Sequence, residues 1–197
     1  MTIHFSARQR PLLPLALSAV LAACGLRNDV VPLVVPAAGS TVAATTEPLA
    51  EGQTFAFFGI GVEGAWQAPQ FSISLDEYDL ARRKGTGDCA HYRHMAARVP
   101  GTGRGVRRFG FRVEPGHYAY SGFNGVPIAG PNAFAVPAGK VSYLGDFILA
   151  TDGKHVERRV DAAVVQALAA DVPGAAGRIV VATGSSVPAP GVFLCMP

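Results

Sequence analysis

Charged residues are scarce in this sequence: they make up 16% of its 197 residues. The longest apolar run near the start, from Leu12 to Ala23, contains Pro14 and is shorter than the roughly 20 residues that a membrane-spanning helix needs. The chain has no Gly-x-Ser-x-Gly and no His-Glu-x-x-His motif, and residues 101–105 lack the Gly-Lys-Ser/Thr ending of a phosphate loop. These absences predict a protein that is not an enzyme and uses no cofactor.

The N-terminus has the order of a secretory signal peptide. The first ten residues contain Arg8 and Arg10 and no acid, and the apolar run follows. It ends in Leu21-Ala22-Ala23-Cys24, which resembles the lipobox of bacterial lipoproteins. The resemblance implies removal of residues 1–23 and acylation of Cys24. Two or more acyl chains give stable membrane anchoring, because each buried methylene contributes about 0.8 kcal/mol.

In the lipoproteins that this sequence resembles, the residue after the cysteine determines which membrane holds the protein. An aspartate there holds a lipoprotein in the inner membrane, whereas this chain has Gly25. The resemblance therefore implies an anchor in the inner leaflet of the outer membrane, with the domain facing the periplasm. Because Arg8 and Arg10 leave with the signal, basic and acidic residues nearly balance in the remainder, and we expect no nucleic-acid partner.

Composition divides the rest of the chain into two regions. Residues 24–51 consist mainly of alanine, valine, threonine and proline, with few charges and no persistent period. We predict that they form the lipidated cysteine and a flexible tether. The alternative is an N-terminal edge strand, since Leu33-Val34-Val35 could pair with a sheet. Residues 52–197 are predicted to form one folded domain.

Two cysteines remain once Cys24 is acylated. In an exported protein, an even pair predicts a disulfide, here between Cys89 and Cys195. A bridge that closes a loop of about 100 residues contributes about 4.7 kcal/mol in the chain-entropy model. The alternative is two free, buried thiols.

Strand patterns dominate the predicted domain. Residues 54–62 are rich in aromatic and branched side chains, and Phe71, Ile73 and Leu75 alternate with polar residues. Pro115-Gly116 predicts a hairpin between the strands around Phe111 and Tyr118. We expect further strands at residues 91–99, 134–136, 141–149 and 178–182. Residues 137–140 predict the turn of a second hairpin, between the strands at 134–136 and 141–149, and Gly145 predicts a bend in the latter.

One helix is predicted near the C-terminus. Val160, Val164 and Leu168 lie four residues apart, and Asp161 is placed to cap the first turn. Pro173-Gly174 ends the pattern. Many short strands with regular turns and one short C-terminal helix predict an all-β fold, an antiparallel β-sandwich.

Two segments carry a second resemblance. Residues 112–120, with Glu114-Pro115-Gly116-His117-Tyr118, and residues 134–147, with Ala138-Gly139-Lys140, are similar to uncharacterised small bacterial lipoproteins. That resemblance implies a β-sandwich of the transthyretin or carboxypeptidase-regulatory type. It implies no catalytic residues.

Cys89, His91 and His94 are the best candidates for metal ligands, because thiolate and imidazole bind zinc and copper. On a regular strand, however, His94 points away from the other two side chains, and a disulfide would remove Cys89. The alternative is surface histidines beside a structural bridge.

A set of basic residues could bind acidic glycans or lipid headgroups. A solvated strand face balanced by neighbouring acids is the alternative. The basic set is Arg82, Arg83, Lys84, Arg104, Arg107, Arg108 and Arg112, and the acids are Asp76, Glu77 and Asp79.

Together these observations predict a non-catalytic lipoprotein, anchored to the membrane through Cys24, that serves as a structural or partner-binding module of the bacterial envelope. An envelope protein or a glycan is the expected partner. The alternative hypothesis is a periplasmic metal or small-ligand binder using Cys89, His91 and His94.

Overall fold

The computed structural model describes residues 27–33, 48–87 and 91–191. These residues form short strands and one helix. In chain order the strands are β1 (Arg27–Asn28), β2 (Val31–Leu33), β3 (Phe55–Val62), β4 (Gln70–Asp79), β5 (Lys84–Gly85), β6 (His91–Tyr92), β7 (His94–Pro100), β8 (Val106–Arg112), β9 (Gly116–Tyr120), β10 (Ile128–Ala129), β11 (Ala133–Val136), β12 (Val141–Leu149), β13 (Val156–Arg159), β14 (Ile179–Val181) and β15 (Gly184–Ser185), and helix α1 (Ala162–Asp171) precedes β14.

The long strands lie in two sheets, which confirms the predicted all-β class. Sheet I has the order β10-β13-β12-β3-β8-β2, with β14 also paired to β12. Sheet II has the order β15-β11-β9-β4-β5, with β7 also paired to β4. Sheet I is mixed rather than purely antiparallel, because β12 runs parallel to both β3 and β14.

The inner faces of the two sheets share one apolar core. Phe58 and Ile60 from β3 are fully buried with Phe71 and Ile73 from β4. The predicted alternation of β4 is confirmed, since its apolar side chains are buried while Ser72 is exposed. Sheet I is also covered on its outer face, where α1 packs against the phenylalanines of β3.

Both predicted hairpins are wrong as pairings, although their turns are where the sequence places them. β8 pairs with β3 and β2, whereas β9 pairs with β11 and β4. The Pro115 turn therefore leads from sheet I to sheet II. The turn at residues 137–140 leads from β11 in sheet II back to β12 in sheet I. A Pro-Gly turn only reverses the chain, and the partners are decided by long-range packing.

These two crossings lie at the same end of the sandwich, which we call the corner end. The registers of Phe55 with Arg112, of Val141 with Phe55 and of Val136 with Gly116 place them together. The β4–β5 turn, residues 80–83, is at this end too, because β4 runs antiparallel to β9 and finishes beside its first residues. The opposite end, with Trp66 and residues 100–106, is called the far end.

Several residues of the segment predicted to form a tether pair with strands of the fold or pack against its core. Arg27 pairs with His91, and β2 pairs antiparallel with β8, which agrees with the edge-strand alternative. Val30 between them is buried in the core. Leu49 is also buried, and its N–H donates to the Pro173 carbonyl. The pattern was missed because strands of two and three residues are too short to show a period.

The predicted bend and helix are both confirmed. The register of β12 against β3 shifts between Tyr143 and Gly145, which has a φ of 107° that favours glycine. Arg158 Nε donates to the Leu144 carbonyl at this bulge, over 2.5 Å. In α1, the Asp161 side chain caps the first turn by accepting from the Ala163 N–H at 2.8 Å.

Arg178 ties the corner end together through main-chain carbonyls, with no carboxylate partner among the residues that the structure describes. Its guanidinium donates to main-chain carbonyls on three separate segments and lies 5.8 Å from the Phe55 ring centre. A planar guanidinium is suited to this because its five N–H groups point in fixed directions. The accepting carbonyls are those of Leu49, Ala50, Gln53, Gly139 and Gly174.

We expect Arg178→Ala to lower the free energy of unfolding by about 3 kcal/mol, because several carbonyls lose a charged donor together. Urea denaturation of the purified domain measures the change. Arg104→Ala removes an equally charged but exposed side chain at the far end and should stay within about 0.5 kcal/mol of wild type. Equal effects from the two variants would contradict this role for Arg178.

The β4–β5 turn contains a strained residue. Arg83 has a φ of 53°, a left-handed conformation that glycine adopts without steric cost. We therefore expect Arg83→Gly to raise the free energy of unfolding by about 1 kcal/mol, and Arg82→Gly to lower it. Thermal and urea denaturation check this, and a stabilising Arg82→Gly together with a destabilising Arg83→Gly would refute it.

Candidate functional site

Three residues named by the sequence lie outside the part of the chain that the structure describes. They are Cys24, Cys89 and Cys195. Acylation of Cys24 and the bridge between the other two cysteines stay predictions. The described chain begins at Arg27, three residues after the lipidation site, and includes β6 two residues after Cys89.

The two histidines of the candidate metal site have different surroundings. His91 is exposed on β6, whereas His94 Nδ1 lies 2.5 Å from Asp76 Oδ1. The His94 and Asp76 side chains are each about one quarter exposed. Among residues 27–33, 48–87 and 91–191, no three His, Cys, Asp or Glu side chains are grouped to hold a metal ion. The His94 imidazole is therefore engaged by a carboxylate of the neighbouring strand.

The basic residues that the sequence groups together are divided between the two ends. Arg82, Arg83 and Lys84 are exposed at the corner end, and Arg104 and Arg107 are exposed at the far end. The remaining two members of the set have carboxylate neighbours, since Arg108 pairs with Asp146 and Arg112 lines a cavity with Glu114. One continuous basic surface is excluded for this set.

The acids expected to balance the basic residues are themselves paired. Glu77 accepts from Arg93 Nη1 at 3.0 Å, and its side chain is only 13% exposed. Asp79 lies 3.6 Å from the guanidinium of Arg82. It also accepts the Arg82 N–H, which holds its pKa below the ordinary value. The turn thus carries three cations, Arg82, Arg83 and Lys84, beside the single carboxylate of Asp79.

A polar cavity of about 460 Å³ opens at the corner end. Both crossings contribute to it, and so does the N-terminal segment through Asp29. Thr54 at its base already accepts the Gly139 N–H at 2.9 Å. One arginine and two carboxylates give it no excess of positive charge. Its lining is Asp29, Gly52, Gln53, Thr54, Arg112, Val113, Glu114, Pro115 and Ala138.

A shielded ion pair lies on the outer face of sheet I. Arg108 Nη2 donates to Asp146 Oδ2 at 2.9 Å, and the carboxylate side chain is only 9% exposed. Gly59 on β3 makes the space, because a Cβ there would lie 2.7 Å from the Asp146 carboxyl carbon. In the sequence, the feature that indicates this space is a pair of glycines, Gly59 and Gly61, inside an otherwise aromatic and branched strand.

Tyr143 completes this group. Burial raises the pKa of its phenol, and the nearby Asp146 carboxylate adds to the effect. The phenol is therefore protonated over the physiological range, and the carboxylate is held by Arg108. We interpret the Arg108-Asp146-Tyr143 group as a structural element that fixes β8 against β12.

No protein-family model, curated protein or solved structure matches this chain. The resemblance to small bacterial lipoproteins therefore stays a prediction from the sequence. Within the described residues, no helix is long and apolar enough to cross a membrane.

The tyrosines give this domain a specific response to alkali. Burial raises the pKa values of Tyr118, Tyr120 and Tyr143 above the ordinary 10.0, so the folded state retains protons that the unfolded chain releases. The contribution of these tyrosines to the free energy of unfolding is complete below about pH 10. Above it the contribution falls, by up to about 1.4 kcal/mol per pH unit for each tyrosine.

We expect Tyr143→Phe to reduce this alkaline loss by the share of one tyrosine, since phenylalanine has no proton to release. Urea denaturation at several pH values from 8 to 11, roughly the range around the unperturbed tyrosine pKa, measures the slope. A variant whose slope equals that of wild type would show that the Tyr143 phenol is not shielded.

Proposed function

We propose that this protein is a lipoprotein of the bacterial envelope, anchored through Cys24, whose β-sandwich is a non-catalytic structural or partner-binding module. The observation that carries the proposal is the order of a basic start, an apolar run and Leu21-Ala22-Ala23-Cys24. Gly25 favours the inner leaflet of the outer membrane, with the domain in the periplasm.

The position of the first strand supports the proposal. Arg27 pairs with His91 only three residues after Cys24, so an acylated cysteine would be held within about 11 Å of the sandwich. A domain that begins directly after the cysteine is suited to residing at the membrane surface.

An exposed turn offers a site for an envelope partner. The Phe123 ring is 64% exposed on a 3₁₀ turn, Gly122–Asn124. The turn is fixed, because the Asn124 side chain accepts the Ser74 N–H at 2.7 Å and donates to the Ser74 carbonyl at 2.9 Å. A rigid, exposed aromatic residue is typical of an anchor in protein recognition.

A periplasmic metal or small-ligand binder using Cys89, His91 and His94 is the second candidate. It has weaker support, because the His94 imidazole is already engaged by Asp76.

Replacement of the lipidation site tests the proposal. Full-length wild-type protein expressed in a bacterial host should begin at Cys24, carry the mass of its acyl chains and sediment with the membranes. Cys24→Ser should lack the acyl mass and leave the membrane fraction, because the acylated sulfur is gone. Intact mass spectrometry and fractionation measure both.

Cys89→Ser is the matched control, since it removes a thiol and leaves residues 21–24 intact. It should keep the acyl mass and the membrane location. Masses that differ only by the exchange of sulfur for oxygen, with the same location for wild type and Cys24→Ser, would refute the proposal.

A further inference from the structure

We propose that the corner end of the sandwich lies against the bilayer and that residues 80–84, called the tip, contact anionic phospholipid headgroups. This inference rests on the proposed function, because it starts from an acylated Cys24. It adds an orientation and a lipid-binding element to that function.

The path of the chain sets the orientation. β1 runs parallel to β6, and β6 leads into β7, which runs antiparallel to β4. β4 finishes at the tip, so β1 starts at the corner end and runs away from it. Arg27 is the third residue after Cys24, which limits the distance from the anchor to this end to about 11 Å. The corner end is therefore the part of the domain that the anchor holds nearest to the bilayer.

The composition of the tip suits an interface between water and lipid. Leu80, Arg82, Arg83 and Lys84 are all exposed. Asp79 is the adjacent carboxylate, and it lies 3.6 Å from Arg82. An exposed leucine beside unbalanced cations combines apolar contact with attraction to anionic headgroups. The turn places all of these side chains at the outermost point of β4 and β5.

Charge at the rest of the corner end is mixed. Glu51 and Glu114 are exposed there with Arg112 and Lys140, and the cavity includes Asp29. These groups give little net attraction to an anionic surface. The tip is thus the element at this end whose charge favours the membrane.

The protein contains its own reporter for the far end. Trp66 is the single tryptophan, and its ring packs against Phe71 at 5.1 Å between ring centres. Phe71 is the second residue of β4, and the tip follows the last. Ten residues of strand separate Trp66 from the tip by about 30 Å. A probe in the acyl chains can therefore distinguish the two ends.

Quenching by brominated lipid tests the inference. Acylated full-length protein is reconstituted into vesicles of phosphatidylethanolamine and phosphatidylglycerol with bromine on the acyl chains. Trp66 of the wild type should retain its fluorescence, whereas the reporter in W66F/L80W should be quenched. If W66F prevents folding, L80W alone should lose the part of its fluorescence that comes from the tip.

The charge of the tip is tested in the W66F/L80W background. Each cation near an anionic surface strengthens binding about five-fold, so R82Q/R83Q should shift the contact equilibrium by roughly 25-fold and relieve quenching. R104Q/R107Q makes the same charge change at the far end and should leave quenching unchanged. Replacing phosphatidylglycerol by phosphatidylcholine should also relieve quenching, because it removes the negative charge from the lipid instead of the positive charge from the tip.

The outcomes separate the two proposals. A chain without acyl groups overturns the proposed function and this inference with it. An acylated, vesicle-bound chain with an unquenched tryptophan at position 80 overturns the inference alone. Equal relief of quenching by R82Q/R83Q and R104Q/R107Q would show that the contact does not depend on the charge of the tip.

Discussion

Contact between aromatic rings of the two sheets is the interaction on which the rest of this structure depends. Phe147 of sheet I lies 5.6 Å from Phe134 and 6.2 Å from Tyr120, both of sheet II, between ring centres. Phe58 packs against the same ring at 5.8 Å. The chain crosses between the sheets at two proline turns, which begin at Pro115 and Pro137, and so brings these rings together. Each crossing places consecutive strands face to face instead of edge to edge.

This arrangement makes the two ends of the sandwich chemically different. The corner end holds the Pro115 and Pro137 crossings, the Arg178 contacts, the cavity and the exposed tip. Arg27, the third residue after the predicted lipidation site, also pairs with β6 at this end. In the proposed function, anchor and contact surface are therefore neighbours, and the turn that carries Phe123 is free to face an envelope partner.

Much of the secondary structure could be predicted from the sequence because it depends on local chemistry. The alternation around Ile73 and the Asp161 cap both act within a few residues. Strand pairing could not be predicted, because a Pro-Gly turn serves a hairpin and a crossing equally well. The pairs His94-Asp76 and Arg108-Asp146 were missed for a similar reason, since their members are distant in sequence and meet only through sheet register.

The chain enters its fold within a few residues of Cys24, since Arg27 pairs with His91 and residues 31–33 pair with β8. Amide hydrogen exchange over residues 27–33 of the acylated, vesicle-bound protein tests it most directly. Our account predicts protection of Val31 and Leu33 comparable with that of β8, because β2 pairs with it and Val30 is buried. Exchange of this segment at the rate of an unfolded peptide would contradict the account and restore a flexible tether.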